Sequence, residues 1–284
     1  MPGRCRGWPG RCRGWLRAVA PAITALPLAL LPLAWSAPSV AAGACALTLA
    51  GNHLPRGLAT AGFSGMSDHG DLSFGAGIGK LPGLRFPRLA AEEAPVRRAA
   101  RAALIAPFLG QPPSARGETP DRWGRHHVEL ASLNGSPSLS MVLLLAGEAL
   151  AWPADVPPAC RASYLAAERA AARARLGLWA GPWHSELEAS DGAAVAARAG
   201  AVAVMRGRVM HVGQTRRATY LNFGARGTGA SAELNLAAWR DLEAQGWTRD
   251  RMKGQNVTVR GVVGEARPAR MLVGDAASVE VNRD

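Results

Sequence analysis

The sequence predicts a protein of the α+β class, in which strands form β-barrels and helices pack against them. The chain has 284 residues and a hydrophobic fraction of 48 %, which excludes a chain that is disordered throughout. Small and polar residues at 185–200 separate a half rich in Arg, Leu and Ala from a half rich in Val. Helical spacing dominates the first half, whereas alternating apolar residues dominate the second.

The N-terminal segment is typical of a secretory signal peptide. Five arginines precede an uncharged apolar run from Ala18 to Trp35, and the small residues Val40-Ala41-Ala42 suit cleavage after residue 42. Prolines interrupt the run, which favours cleavage over an uncleaved membrane anchor. We expect residues 1–42 to be a signal peptide. The protein is then expected to be exported, either periplasmic or secreted, and to have no membrane span after cleavage. Lipid attachment at Cys45 is the alternative.

The positive charge of the chain is weak evidence for an anionic partner. The net charge is +12, but only Lys80 and Lys253 are lysines, and the arginines lie in a background of Ala, Gly and Pro that is typical of GC-rich coding. Loss of the signal peptide removes five arginines and leaves a net charge of about +7. Cys45 and Cys160 then remain. A disulfide between them is possible in an exported protein, and lipidation of Cys45 would exclude it.

The first domain is expected at residues 43–184, before a linker at 185–200. Its strands are hard to place, because residues 57–78 are rich in Gly, Ser and His. Three helices are predicted by apolar spacing, Pro and Gly signals, namely Glu92 to Ala106, Ser138 to Ala151 and Pro158 to Leu176. In the first helix, the residues available for the core are Val96, Ala100, Ala103 and Leu104, with Arg97, Arg98 and Arg101 on one side. In the third, the residues expected to point outward are Glu168, Arg169 and Arg173.

The second domain is expected at residues 201–284. Alternating residues predict strands at Ala201–Val212, Ala218–Phe223, Ser231–Leu236, Asn256–Val263 and Met271–Val281, the last one broken at Gly274-Asp275. Helical spacing predicts a helix at Ala237–Gln245. Three strands, a helix and two strands follow one another in the order of the oligonucleotide/oligosaccharide-binding (OB) fold. Such barrels bind single strands through aromatic and basic residues, here Arg206, Arg208, Arg216, Arg217, Tyr220, Phe223 and Arg260. We favour a core Phe and a solvated arginine surface instead.

Two motifs in the first domain carry a resemblance to a known family. They are Asp121-Arg122-Trp123-Gly124-Arg125, before two of the predicted helices, and Leu176-Gly177-Leu178-Trp179, after a helix that contains Ala167-Glu168. In this order and spacing they resemble the staphylococcal nuclease, or thermonuclease, family over residues 57–180. The resemblance implies a five-stranded OB barrel with packed helices and Ca²⁺-dependent hydrolysis of phosphodiesters.

The second domain resembles the C-terminal module of exported bacterial thermonuclease-like proteins. The segments that carry this resemblance are Gly207-Arg208-Val209, Tyr220-Leu221-Asn222-Phe223-Gly224 and Val259-Arg260-Gly261-Val262-Val263. The fold class expected for the whole chain is therefore a staphylococcal-nuclease-like OB domain followed by a second, smaller OB-like barrel.

The family resemblance implies a site in which several residues have changed. Asp71 lies at the position of a metal-binding carboxylate, Lys80 replaces a phosphate-binding arginine, and Arg125 matches the second one. Arg85 replaces a metal-binding aspartate, and Arg88 replaces the glutamate associated with general-base catalysis. A guanidinium neither ligates a cation nor accepts a proton, so the resemblance implies a degraded metal and general-base site.

Phosphate and nucleic-acid binding are expected to survive at Arg125 and at the neighbouring basic residue Arg122. Alternatives remain at several positions. A different alignment with the family would let Asp68, Glu92 or Glu93 supply the missing acid. If Arg125 has only a structural role, it pairs with Asp121 across a turn. Of His126 and His127, adjacent on a strand, one is expected in the core and the other in solvent.

Three functions therefore remain open. The leading hypothesis is a homologue of the nucleases that binds nucleic acid, single-stranded nucleic acid in particular, or another phosphate ligand at the cell envelope and needs no cofactor. The alternatives are an active Ca²⁺-dependent endonuclease and a non-catalytic envelope scaffold or protein-interaction module.

Overall fold

The computed structural model describes residues 56–115, 119–131, 137–181, 186–225, 228–265 and 268–282. These residues belong to one compact unit. The predicted signal peptide and Cys45 lie outside them. No helix in the described ranges is both long and apolar enough to cross a membrane.

The first half of the described chain is a small sheet with helices around it. Its helices are α1 (Arg56–Thr60), α2 (Ala94–Ile105), α3 (Leu139–Leu145) and α4 (Pro158–Arg173). Its strands are β1 (Phe63–Met66), β2 (Asp71–Phe74), β3 (Gly77–Lys80), β4 (Leu84–Arg85), β5 (Ser114–Ala115), β6 (Arg125–Glu129) and β7 (Leu150–Ala151). Short 3₁₀ turns occupy Ala106–Phe108, Pro153–Asp155 and Gly177–Ala180.

The first sheet has the order β1-β2-β3-β6-β5, with β3 and β6 parallel and the other neighbours antiparallel. Residues 110 and 111, just before β5, also form backbone hydrogen bonds with β1. The Phe63 amide donates to the Gln111 carbonyl at 2.9 Å, and the Gly110 amide donates to the Phe63 carbonyl at 2.8 Å. Because Gln111 leads into β5, these bonds bring the two edges of the sheet together. A separate antiparallel pair joins β4 to β7.

The prediction for helix α2 was partly wrong. Arg101 is 3 % exposed, whereas Val96, expected to be available for the core, is 59 % exposed. The Arg101 guanidinium is buried because it has partners. It donates to the carbonyls of Asp68 and Glu148 at 3.0 and 3.1 Å and lies 3.4 Å from the Glu148 carboxylate. The sequence did not indicate this orientation, because the many alanines of the helix do not define a single apolar face.

The second predicted helix is shorter than expected. It ends at Leu145 rather than at Ala151, and Leu150–Ala151 form strand β7. Gly147 has a φ of +70°, and a Cβ there would lie 2.4 Å from the Leu176 carbonyl oxygen. The Gly147 carbonyl also accepts a hydrogen bond from the Leu178 amide at 2.7 Å. The close contact with this later segment requires glycine and ends the helix early.

The second half of the described chain is a larger sheet. Its strands are β8 (Leu187–Glu188), β9 (Val202–Gln214), β10 (Ala218–Phe223), β11 (Ser231–Asn235), β12 (Asn256–Gly264), β13 (Arg270–Val273) and β14 (Val279–Asn282). The helices are α5 (Gly192–Ala196), α6 (Leu236–Ala244) and α7 (Arg249–Met252), and Ala276–Ser278 form a 3₁₀ turn. The strands and the helix predicted in residues 201–284 are confirmed in type and order.

The pairings of this sheet return to their starting strand. Strand β9 pairs with β10, β10 with β11, β11 in parallel with β13, β13 with β12, and β12 again with β9. Trp239 of α6 is 1 % exposed and belongs to the same core as Phe223, which is 2 % exposed, as the strand pattern predicted. Residues 186–200, in the stretch expected as a linker, contain β8 and α5, and β8 pairs with β9.

A buried ion pair connects the two halves. Arg260 of β12 bonds to Glu168 of α4, and both side chains are 3 % exposed or less. Arg260 also lies 3.4 Å from Glu280 of β14, and the other oxygen of Glu168 accepts the Ala151 amide at 2.7 Å. The expectation that Glu168 points outward was therefore wrong. Arg260, considered for an open binding surface, is instead part of the contact between the halves.

Replacing Arg260 with alanine is expected to destabilise the protein by about 3–5 kcal/mol, because Glu168 would stay buried without a partner. Denaturant unfolding measures this loss. The matched control is R270A, because Arg270 pairs at 3.0 Å with Glu233 on neighbouring strands but is 34 % exposed. That surface pair should be worth less than about 1 kcal/mol. Equal losses in the two variants would contradict a special role for the buried pair.

Candidate functional site

Three neighbouring strands assemble the residues that the sequence assigned to phosphate and metal binding. In the antiparallel register of β2 and β3, Asp71 lies opposite Lys80. In the parallel register of β3 and β6, Ile78 lies opposite Arg125, the first residue of β6. Arg125 therefore starts two residues along β3 from Lys80, and its side chain reaches Asp71, 54 positions away in sequence.

The turn before β6 holds Arg125 in place. One oxygen of Asp121 accepts the amides of Trp123 and Arg125 at 2.9 and 3.1 Å, and the other accepts the Arg125 Nε at 2.9 Å. Burial acts to raise the pKa of Asp121, but these hydrogen bonds outweigh it and lower the pKa to about 2. Gly124, with a φ of +77°, supplies the left-handed residue of this turn. The interpretation that Asp121 and Arg125 pair across a turn thus describes the observed geometry.

Arg125 reaches across to the predicted metal-binding carboxylate. Its terminal nitrogen donates to Asp71 Oδ1 at 2.9 Å. The guanidinium therefore bridges Asp71 and Asp121, and both of these acids serve as its counterions. An anionic ligand at Arg125 would share a cation that two carboxylates already contact.

A second ion-pair group lies on the other side of the site. Arg85 contacts Asp155 at 2.6 Å, and Lys80 lies 3.7 Å from the same oxygen. Arg85 also stacks over Trp152, with its guanidinium carbon 4.8 Å from the ring centre. Burial, followed by the positive charge of Arg85, lowers the pKa of Lys80. The sequence did not point to Asp155, because no spacing pattern connects it with Lys80; the pairing of β4 with β7 brings it there.

An exposed aromatic residue completes the site. Trp123 is 61 % exposed, and the guanidinium carbons of Arg122 and Arg125 lie 3.9 and 4.7 Å from its ring. A cavity of about 220 Å³ adjoins it, with Lys80 and Arg85 among the lining residues. The site therefore combines a cationic cavity with an accessible indole face or edge.

The remaining predicted residues lie elsewhere or have other partners. Arg88 is exposed and does not line the cavity. Asp68, considered as a replacement acid, accepts the Arg98 Nε at 2.9 Å, and Glu92 is exposed. Glu93 precedes α2 as its N-cap residue.

The burial of the two adjacent histidines differs from the prediction. His126 and His127 are both half-buried, so the expectation of one core and one solvent histidine was wrong. Within the described ranges, no group of three or more His, Cys, Asp or Glu side chains is placed to hold a metal ion.

Two buried glutamates were not singled out by the sequence. Glu148 is 2 % exposed and contacts Arg97 at 2.7 Å, and Glu129 accepts the Leu130 and Ser140 amides at 3.0 and 3.2 Å. Burial raises the pKa of both carboxyls, against these partners. Neither glutamate lines the candidate cavity, so we assign them to the packing of the helices.

Comparison with known proteins does not identify a family. No protein-family model matches the chain, and no curated protein matches it. Similar solved structures include OBody AM1L10 bound to hen egg-white lysozyme, which is 14 % identical, with 37 % of this chain and 98 % of that chain covered and a TM-score of 0.27. OBody AM3L15 bound to hen egg-white lysozyme is 15 % identical, with 33 % and 92 % covered and a TM-score of 0.26. Likeness at these TM-scores establishes neither a common fold nor a common function.

The Arg125 bridge predicts a pH-dependent stability. Because the pKa of Asp121 is lowered in the folded state, the stabilisation is present above its ordinary value of 3.8 and is lost as the pH falls through about 2. R125A should therefore be less stable than the parent by about 1–2 kcal/mol at pH 7, and the difference should shrink toward pH 2. Denaturant unfolding at several pH values measures it. R122A, which changes the exposed neighbouring arginine, should show no such trend, and a pH-independent loss in R125A would contradict the prediction.

Proposed function

We propose that this protein binds single-stranded nucleic acid at the cell envelope and is a homologue of the thermonuclease family with degraded metal and general-base positions. The observation that carries the proposal is the exposed indole of Trp123. The guanidinium carbons of Arg122 and Arg125 lie 3.9 and 4.7 Å from its ring centre, and the indole adjoins the cavity that Lys80 and Arg85 line.

The chemistry of this surface suits a flexible phosphodiester chain. Aromatic side chains stack on bases without regard to sequence, and each stacked base contributes about 1–3 kcal/mol of binding free energy. Arginines beside such a ring contact the phosphates and strengthen stacking through cation–π interactions. In this proposal, Trp123 receives a base and Arg122 contacts the backbone. Arg125, whose three guanidinium nitrogens contact Asp71 and Asp121, contributes its charge.

The residues present do not fit the Ca²⁺ centre that the family resemblance implies. Asp71 is bonded to Arg125, and Asp155 is bonded to Arg85, which stands where the family has a second metal-binding aspartate. Calcium takes about 6–8 oxygen ligands, whereas a guanidinium close to a single carboxylate repels the ion. The competing hypothesis of an active endonuclease therefore lacks free carboxylate ligands for Ca²⁺ among the described residues of this site.

The fold supports the proposal through its strand order. The ring of pairings β9-β10-β11-β13-β12-β9, with a helix between β11 and β12, is the strand order of an OB barrel. The first sheet has β1-β2-β3 followed by a parallel β3–β6 pair, which suits the same fold. We propose a staphylococcal-nuclease-like OB domain followed by a second OB-like barrel.

Export is supported by the cysteine chemistry. Cys160 is disulfide-bonded and 1 % exposed. Disulfides persist in oxidising compartments such as the bacterial periplasm. Together with the predicted signal peptide, this favours an envelope or secreted location.

Fluorescence anisotropy with a labelled single-stranded DNA oligonucleotide tests the binding proposal. We expect saturable binding by the purified protein that weakens steeply as the salt concentration rises, because arginines displace counterions from the phosphates. W123A should bind about tenfold more weakly through the loss of stacking. The control is L272A, which truncates another exposed hydrophobic side chain, 46 % exposed, and should bind like the parent.

The same samples distinguish the competing functions. No cleavage of the oligonucleotide is expected with Ca²⁺ or with a chelator. Ca²⁺-dependent cleavage that is lost in R125A would overturn the proposal in favour of the nuclease. Folded protein that does not bind DNA at low salt would favour a scaffold.

A further inference from the structure

A polar cleft lies away from the candidate site described above. Its volume is about 710 Å³, which is within the range of small-molecule sites. Helix α4 and the segment after it form one wall, and strands β9, β12 and β14 form the other. The cleft therefore exists only because the two halves pack together.

Arginines converge on this cleft from both walls. Arg173 and Arg175 come from the end of α4, Arg206 comes from β9, and the buried Arg260 lies between the halves. Arg260 and the nearby Arg169 have counterions, because Arg260 pairs with Glu168 and both arginines pair with Glu280.

The other three arginines are not neutralised in this way. Arg173, Arg175 and Arg206 form no ion pair with any side chain in the part of the chain that the structure describes. Glu186 also lines the cleft, and burial raises its pKa, although the charges of Arg206 and Arg260 act in the opposite direction. The cleft therefore has an excess of positive charge.

The position of Arg175 is unusual for its residue type. Its φ is +51°, the one left-handed non-glycine residue among the described positions. Its amide bonds to the Ala172 carbonyl and the next amide bonds to the Ala171 carbonyl, at 3.1 and 3.0 Å, as in a Schellman helix end. Glycine is the usual residue at this place, because a side chain there costs about 1 kcal/mol. Here the position carries a guanidinium at the cleft instead.

Neutral hydrogen-bonding groups lie in the same cleft. Trp179 is a partly buried lining residue of the cleft. Thr258 and Asn282, joined to each other at 3.2 Å, line the opposite wall. An organic ligand with a polar ring or sugar would find both an aromatic surface and hydrogen-bonding groups beside the arginines.

We propose that this cleft binds a small phosphorylated molecule of about mononucleotide size. The phosphate contacts Arg173, Arg175 and Arg206 at the mouth, and the organic part lies against Trp179. A guanidinium matches phosphate geometry through paired N–H donors, and several guanidiniums together hold the two negative charges of a phosphomonoester. A structural role at the helix end explains Arg173 and Arg175 through the helix dipole, but it does not explain Arg206, which comes from a different element.

Isothermal titration calorimetry with adenosine 5′-monophosphate, inorganic phosphate and uncharged adenosine tests this proposal. We expect the monophosphate to bind, inorganic phosphate to bind more weakly, and adenosine not to bind measurably. The double variant R173Q/R206Q should lose at least tenfold in affinity for the monophosphate. The matched control R217Q/R240Q removes the same charge from exposed arginines outside the cleft and should change affinity less than twofold.

The outcomes separate this site from the proposed nucleic-acid surface. W123A should leave monophosphate binding unchanged, even where it abolishes DNA binding. Equal losses in the two double variants would mean nonspecific attraction of anions and would overturn the proposal. Absence of monophosphate binding in the folded parent protein would overturn it as well, without bearing on DNA binding at Trp123.

Discussion

The buried pair of Arg260 and Glu168 is the interaction on which the arrangement of the two halves depends. Each side chain is removed from water, so neither can lose its partner without leaving a buried charge. Glu168 also accepts the Ala151 amide, which ties the pair to strand β7. Strand β7 pairs with β4, which carries Arg85. A single ion pair thus links the contact between the halves to the strand pair at the edge of the candidate nucleic-acid site.

Charge compensation distinguishes the two basic regions of the molecule. Around Trp123, Arg125 has Asp71 and Asp121, and Arg85 has Asp155, so cations and acids nearly balance. Such a site favours stacking and partial phosphate contact over strong binding of a compact anion. In the cleft between the halves, five arginines face three glutamates, and three of these arginines form no ion pair with a described side chain. The two regions therefore suit different ligands, a single strand in one case and a phosphomonoester in the other.

Local pattern was sufficient for much of the fold. Side-chain periodicity alone predicts the elements of residues 201–284. Alternating valines predict the strands, and the spacing of Leu236, Trp239 and Leu242 predicts the helix. The pairing of Asp121 with Arg125 is also local, since it spans four residues and one turn. By contrast, the sequence could not show which face of α2 or α4 is buried. Alanines lie on all sides of these helices, and the deciding contacts come from Glu148 and Arg260, far away in the chain.

The sequence by itself determined the charged and aromatic residues available for binding, the element order of the second half, and the presence of arginines at positions 85 and 88. Only the tertiary structure decided which of these residues have partners. Asp155 reaches Arg85 through the β4–β7 pair, and Arg206 and Arg173 line the same cleft from different elements. The physical reason is that the charge at a site is a sum over elements remote in sequence, whereas residue patterns report only neighbours along one helix or strand.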